Sequence, residues 1–418
     1  MYGITAKKLV SLILSAVLLL ALTGCGGSDS TGEQAGSPEE AASFAPAGEP
    51  IQNDTDTSAV ESSASGTAPA LPGLVYNHTM DRQYAEQFDV FYYDGGYKYI
   101  ESHYDGRGYL VVPEGKAAPD GLDSNIRILQ QPLDDIYLVA TASMALFDAM
   151  DSLDVIKLTS QNADGWYVEN AAAAMERGEM LFGGKYSEPD YELLVDSSID
   201  IAIENTMILH TPKVIDMIEI LGIPVFIENS SYETHPLGRV EWIKVFAALL
   251  NREDRAEAFF DRSVEKMEQI RAFPDSGKSV VIFLIDSTGR VQVRASDDYL
   301  SKIIGIAGGR NAFEEILADD DSRRTNINMT MEEFYASAMD VDFFIYNASG
   351  YSSGVTSVTK LLEMSPLLAD CKAVREGNVW WLGPETYQRT DQIADLIGQV
   401  HAMLTGGEEE MTFLHRME

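Results

Sequence analysis

Cysteine is almost missing from this chain of 418 residues: there are two, Cys25 and Cys371. That excludes a disulfide-stapled scaffold and a thiolate metal cluster. Basic residues are also scarce, with 30 Lys+Arg against 66 Asp+Glu and a net charge of -36. Such a surface repels nucleic acid and anionic lipid headgroups, and is silent on fold. No apolar run approaches the roughly 20 residues needed to span a bilayer. The 6 histidines show no metal-ligand spacing and no His-Glu-x-x-His, so no dedicated zinc site is expected. What is present is ordinary globular material: 45% hydrophobic residues, in a length that allows two domains.

The first residues have a separate job. Lys7 and Lys8 precede an apolar stretch from Leu9 to Leu22, and the stretch closes on Leu22-Thr23-Gly24-Cys25. A basic start, a short apolar core and a small-residue exit make a secretory signal. The exit on cysteine is similar to a bacterial lipobox. That resemblance implies removal of residues 1–24 and lipidation of Cys25, placing the protein outside the cytoplasm, anchored to the outer face of the cell membrane. Each buried methylene of such an anchor contributes about 0.8 kcal/mol. Loss of the two lysines would leave a net charge of -38. Residues 25–70 are rich in Ser, Thr, Gly, Ala, Glu and Pro and poor in large apolar side chains, which predicts a tether without a packed core. Cys371, without a partner, is expected to be a structural thiol.

From residue 71 onward the patterns are those of a folded chain. Phe88 to Tyr93, Tyr97 to Ile100 and Tyr109 to Val112 are aromatic and β-branched runs separated by Asp-Gly turns, which predicts hairpins. After Pro113, strand-like runs at Ile126 to Leu129, Ile136 to Val139, Val155 to Leu158, Ile199 to Ile203 and Ile223 to Ile227 alternate with helical stretches. This is the signature of an α/β unit with a mostly parallel sheet. Between Glu253 and Arg271, Ala256, Phe259, Phe260, Val264, Met267 and Ile270 recur at three- and four-residue steps, a single apolar stripe on one long helix. Asn251 is a plausible N-cap for it and Pro274 a stop. Alternation then resumes to the C-terminus. The expected fold is α/β: two Rossmann-like lobes (71–252, with a hairpin extension, and 274–418) joined by one helix (253–273), with a ligand cleft between them.

The lobes echo each other. A helix starting near Glu192 feeds a strand opened by Ile199-Asp200, and one starting near Glu332 feeds a strand opened by Val341-Asp342. At this point the chain resembles the substrate-binding lipoproteins of ABC importers for iron chelates, haem and cobalamin. The residues that carry the resemblance are Leu221-Gly222-Ile223-Pro224-Val225, Glu241-Trp242-Ile243, Leu250 to Ala258, Gly308-Gly309-Arg310-Asn311-Ala312-Phe313 and Ala373 to Val379. Departures are Ile199 and Val341, where that family has proline, and the length of the N-terminal hairpins. The resemblance implies a binding protein, not an enzyme, with small, stiff closure about the single helix. It also implies an exposed glutamate on each lobe that pairs with permease arginines: Glu192, and Glu332 with Glu333 as the alternative. Expected partners are a metal-chelate ligand, the permease and, through the lipid, the membrane, with the protein acting as a monomer. The cargo's metal aside, no cofactor is implied. A surface sensor or adhesion lipoprotein on the same fold is the alternative reading.

In open α/β lobes, ligands meet loops at the carboxyl ends of strands. Those loops offer Trp166, Tyr167, Tyr232, His235, Arg239, Arg294, Tyr351, Tyr387 and Arg389 as ligand-binding residues. Aromatic faces and a few arginines suit a bulky anionic chelate; rim packing is the plainer role for each aromatic. His210 and His235 could meet a metal centre, but as lone histidines they read better as surface residues. Gly350-Tyr351-Ser352-Ser353-Gly354 fits Gly-x-Ser-x-Gly, with Asp391 and His401 following in hydrolase order. The elbow lies too far beyond its strand, and Asp391 and His401 fall on one expected helix, so a catalytic triad is not expected.

Overall fold

The computed structural model describes residues 66–317, 326–348, 354–407 and 409–418. Cys25, Tyr351 and Ser352 lie outside the described residues. Five strands open the structure: β1 (Tyr76–Thr79), β2 (Phe88–Tyr93), β3 (Lys98–Ser102), β4 (Gly108–Val112) and β5 (Ile126–Gln130), hydrogen-bonded in that order. The Asp94-Gly95-Gly96 turn works because both glycines adopt positive φ, 85° and 88°, the region a tight hairpin demands. β5 is a correction to the expected alternation. It does not enter the α/β lobe but runs parallel to β4 as the edge of this added sheet.

The first lobe contains β6 (Ile136–Leu138), β7 (Ile156–Thr159), β8 (Leu181–Phe182), a small hairpin β9 (Gly184–Lys185) with β10 (Glu188–Pro189), then β11 (Ile201–Asn205) and β12 (Val225–Glu228). Its five-stranded sheet has the order β12-β11-β6-β7-β8, with every pairing parallel. The second lobe holds β13 (Ser279–Ile285), β14 (Val291–Arg294), β15 (Arg310–Asn311), β16 (Asn326–Met329), β17 (Phe343–Asn347), β18 (Val379–Leu382) and β19 (Leu414–Arg416). β13, β15, β17 and β18 are parallel; β14, β16 and β19 add antiparallel edges.

The long helix spans Glu253–Arg271 and buries Ala256, Phe260, Ser263, Met267 and Ile270, with Phe259 and Val264 half-buried beside them. Asn251 is not its N-cap. At φ 57° it closes the preceding helix, Ile243–Leu250, in the left-handed conformation. Asparagine tolerates that conformation as readily as it caps an N-terminus, so the residue type alone did not decide. One continuous apolar core runs from Phe88 and Tyr109 of the added sheet, through Phe246 and Trp242, past Phe260 and Met267, to Ile303 and Ile397 of the second lobe. Each lobe keeps a separate cluster on its outer face.

The internal echo has a structural reason. Asp200, just before β11, accepts from the backbone N–H of Asp134 (3.0 Å) and Asp135 (3.1 Å) at the foot of β6. Asp342, just before β17, accepts from the backbone N–H (2.8 Å) and hydroxyl (2.9 Å) of Ser279 at the foot of β13. In both lobes the aspartate ties together the starts of two neighbouring parallel strands.

The added sheet is clamped to the rest by buried polar contacts. Lys98 donates to the Ala248 carbonyl (2.7 Å), Asn251 (2.7 Å) and Glu253 (2.5 Å) at the start of the long helix. The Glu241 carboxylate, fully buried, accepts from the backbone N–H groups of Gln83, Tyr84 and Ala85. Glu233 accepts from those of Glu86 (2.7 Å) and Gln87 (3.1 Å) and from Trp242 Nε1 (2.9 Å). Each carboxylate thereby satisfies backbone donors that a strap crossing the surface would otherwise leave unpaired.

Candidate functional site

The loops that follow β7 and β12 on one lobe meet those that follow β14 and β18 on the other, where Gln388 bonds Gly165 and Tyr167 and Arg239 lies over Tyr299. Where they meet, buried polar groups outnumber their partners. Arg294 ends β14; its Nη2 donates to the Tyr387 hydroxyl, and Nη1 lies 3.6 Å from Asp298. The same Tyr387 hydroxyl accepts from Asn347 Nδ2 at 3.2 Å. Asp298 also caps the helix Tyr299–Ile306 by accepting from Leu300 N–H at 3.0 Å. Arg239, on the helix Pro236–Glu241 of the first lobe, sets its guanidinium 4.2 Å over the Tyr299 ring of the second, a cation–π contact across the cleft. Burial drives the Asp298 carboxyl upward and the neighbouring arginines pull it back, with burial the larger effect. Burial likewise pushes the Tyr299 hydroxyl up to about 12, so it remains a neutral donor.

Several of these groups retain unused hydrogen-bonding capacity. Among the described residues, Arg239 Nε, Arg294 Nε, both amide atoms of Asn229 and Trp166 Nε1 are buried and have no hydrogen-bond partner. Glu228, at the end of β12, is spoken for by Ser230 N–H at 2.7 Å; burial raises its pKa despite that bond and the nearby Arg239. One side chain stitches the lobes together. Gln388 accepts from Tyr167 N–H (2.7 Å) and donates to the Gly165 carbonyl (2.8 Å).

The structure therefore brings together Trp166, Tyr167, Arg239, Arg294 and Tyr387 of the expected set. Other members are held elsewhere. Tyr232 packs on Tyr104 of the added sheet, hydroxyl to hydroxyl at 3.2 Å. His235 stacks on Tyr84 with ring centroids 4.3 Å apart, and its Nδ1 accepts from Leu237 N–H. Burial lowers the His235 pKa to about 4, leaving a neutral ring at neutral pH. Arg389 is engaged in a fork with Asp391 at 3.0 and 2.9 Å. That fork also occupies the acid of the Gly-x-Ser-x-Gly reading, while His401 bonds the Ala307 carbonyl and stacks on Phe273. His210 is exposed. Gln388, Tyr299, Asp298 and Asn229 were not singled out from the sequence. All four fall in the expected strand-end loops, and that position was their only signal.

On the outer surface, Glu192 is exposed in the first turn of the helix Tyr191–Asp196, capped by Asp190. Glu332 and Glu333 both open the helix Met331–Ala338. They differ in use: Glu333 closes a capping box with Thr330, accepting from its N–H (2.8 Å) and hydroxyl (2.9 Å), while Glu332 has no side-chain bond among the described residues.

Two α/β lobes, one connecting helix and a polar cleft at facing strand ends define a two-lobed solute-binding protein. The family profile described as Periplasmic binding protein matches residues 163–386, over half of the chain, and the chain belongs to that family. A lipoprotein of Methanocaldococcus jannaschii of uncharacterized function is 26% identical over 395 residues, spanning 90% of this chain and 96% of its own. Among solved structures, a periplasmic solute-binding protein of Staphylococcus epidermidis superposes with TM-score 0.53 at 12% identity, covering 66% of this chain and 99% of its own. A periplasmic haem-binding protein of Vibrio cholerae gives TM-score 0.52 at 17% identity, covering 64% and 98%. About a third of this chain has no counterpart in either structure, and the added sheet lies wholly outside the family match. No helix among the described residues is long and apolar enough to cross a membrane.

Proposed function

We propose that this chain is the lipid-tethered, extracytoplasmic receptor of an ABC importer, and that its cleft takes an anionic metal chelate: a siderophore, haem or a corrinoid. One observation carries the reading. Arg239 and Arg294, from opposite lobes, are buried at the cleft, each with an unused Nε donor, beside the Tyr299 and Tyr387 rings. Buried cations with spare donors and aromatic walls suit a bulky ligand edged with carboxylate or catecholate oxygens. The metal is part of the cargo. The haem-binding solved neighbour supports the ligand class, and the lipoprotein relative supports anchoring through Cys25. Glu192 and Glu332 are the charges offered to the permease, Glu332 rather than Glu333 because the latter is spent on its own helix.

Tryptophan-fluorescence titration tests this, since Trp166 lies between Gly165 and Tyr167, the two residues that Gln388 binds across the lobes. A panel of ferric hydroxamate, ferric catecholate, haem and cobalamin is expected to yield one tight binder. Arg294→Gln should weaken it roughly 10- to 100-fold, the loss of one charge-assisted contact of about 1.5–3 kcal/mol. Absence of saturable binding by every member of the panel would refute the proposal.

A further inference from the structure

A second cluster lies on the added sheet, away from the cleft. Asp89 of β2 and Glu101 of β3 are direct cross-strand partners. Like charges placed opposite each other in a ladder repel, and Asp89 is only 1% exposed. His103 completes the group: one ligating atom from each of Asp89, Glu101 and His103 lies within 4.8 Å of the other two. Its Nδ1 bonds the Glu86 carbonyl at 2.6 Å, which fixes the ring and aims Nε2 at Asp89 Oδ2, 2.9 Å away. Arg82 holds the other oxygen, Asp89 Oδ1, at 2.6 Å. The Gly66 N–H approaches Asp89 Oδ2 at 3.3 Å. A methyl group at Gly66 would sit 3.2 Å from Asp89 Oδ2 and 3.9 Å from Glu101 Oε2, so the two carboxylates converge over a residue with no side chain. Pairing with Arg82 and His103 accounts for the buried Asp89. It does not account for a second carboxylate brought to the same point.

We infer that the added sheet carries a binding site for a divalent first-row transition-metal ion, held by Asp89 Oδ2, the Glu101 carboxylate and His103 Nε2. One imidazole with two carboxylates suits Zn²⁺, Mn²⁺ or Fe²⁺, whereas Ca²⁺ and Mg²⁺ prefer oxygen-only sets. The ion takes the place of the Nε2 proton, which leaves to solvent. Arg82 and the Glu86 carbonyl act as positioning groups, the outer partners that orient a metal-binding carboxylate and imidazole.

The probe is the bare ion. The full chain in detergent, stripped with a chelator, is titrated with Zn²⁺ by calorimetry in excess Mg²⁺, which occupies the acidic surface, and with Co²⁺ by visible absorption. One ion per chain is expected, with affinity reduced at least tenfold in His103→Ala and in Glu101→Gln, and about tenfold in Arg82→Gln. The Co²⁺ ligand-field bands should be altered in all three, while chelate binding in the cleft is unchanged. If His103→Ala does not fold, Glu101→Gln, at a partly exposed position, decides. No stoichiometric Zn²⁺ binding by the wild type, or binding that both Glu101→Gln and a folded His103→Ala leave intact, overturns the assignment.

Discussion

At the scale of single residues, much of this molecule is governed by what buried and half-buried carboxylates are given to hold. Asp342 is the clearest case. Burial pushes its pKa up, but Lys372 at 2.7 Å and the two Ser279 donors outweigh that and bring it down to about 2. A folded-state pKa below the unfolded one gives stability that is present above the ordinary value of 3.8 and lost as pH falls through about 2. Urea denaturation between pH 5 and pH 2 should therefore show an acid limb that Asp342→Asn flattens, by about 2 kcal/mol. Residue identity was a weaker guide to which cleft side chains face a ligand. Tyr232, His235 and Arg239 sit within one loop-and-helix segment. Only Arg239 reaches the cleft, because Tyr104 and Tyr84 of the added sheet have taken the other two. Nothing local to that segment reveals that a distant sheet would cover one side of it.

At the scale of elements, the helix Glu253–Arg271 was legible because its apolar stripe is continuous and its neighbours are short. β5 was legible as a strand and misplaced as to sheet, since a β-branched run announces an extended backbone without naming its partner. Phe260 lies at the centre of the helix's buried face, beneath Tyr84 and beside Lys244. Phe260→Ala should cost about 3–5 kcal/mol, read as a lower urea midpoint at unchanged slope. Because the apolar core is continuous through that helix, the loss should appear as one cooperative transition and not as separate melting of two lobes.

At the scale of the whole molecule, the acidic surface singles out no one carboxylate, and with a net charge of -36 there are many. The proposed docking pair is Glu192 and Glu332, each exposed at the head of a helix on its own lobe. Reversing both to lysine should abolish stimulation of the permease's ATPase and ligand uptake while leaving chelate affinity within about twofold, because rim charges act on encounter rather than on the cleft. The same reversal at Glu333 should instead loosen a helix cap, read as a lower urea midpoint, without an effect confined to transport.

The strap from Gln83 to Gln87 has one further effect. By threading its amides into Glu233 and Glu241 it stiffens, from behind, the segment that delivers Arg239. Rigidity of the first lobe is thus lodged partly in a module that lies outside the family match. A version without this module would leave Glu241 to Lys244 alone and Glu233 to the Trp242 indole alone, and would hold Arg239 in a slack jaw.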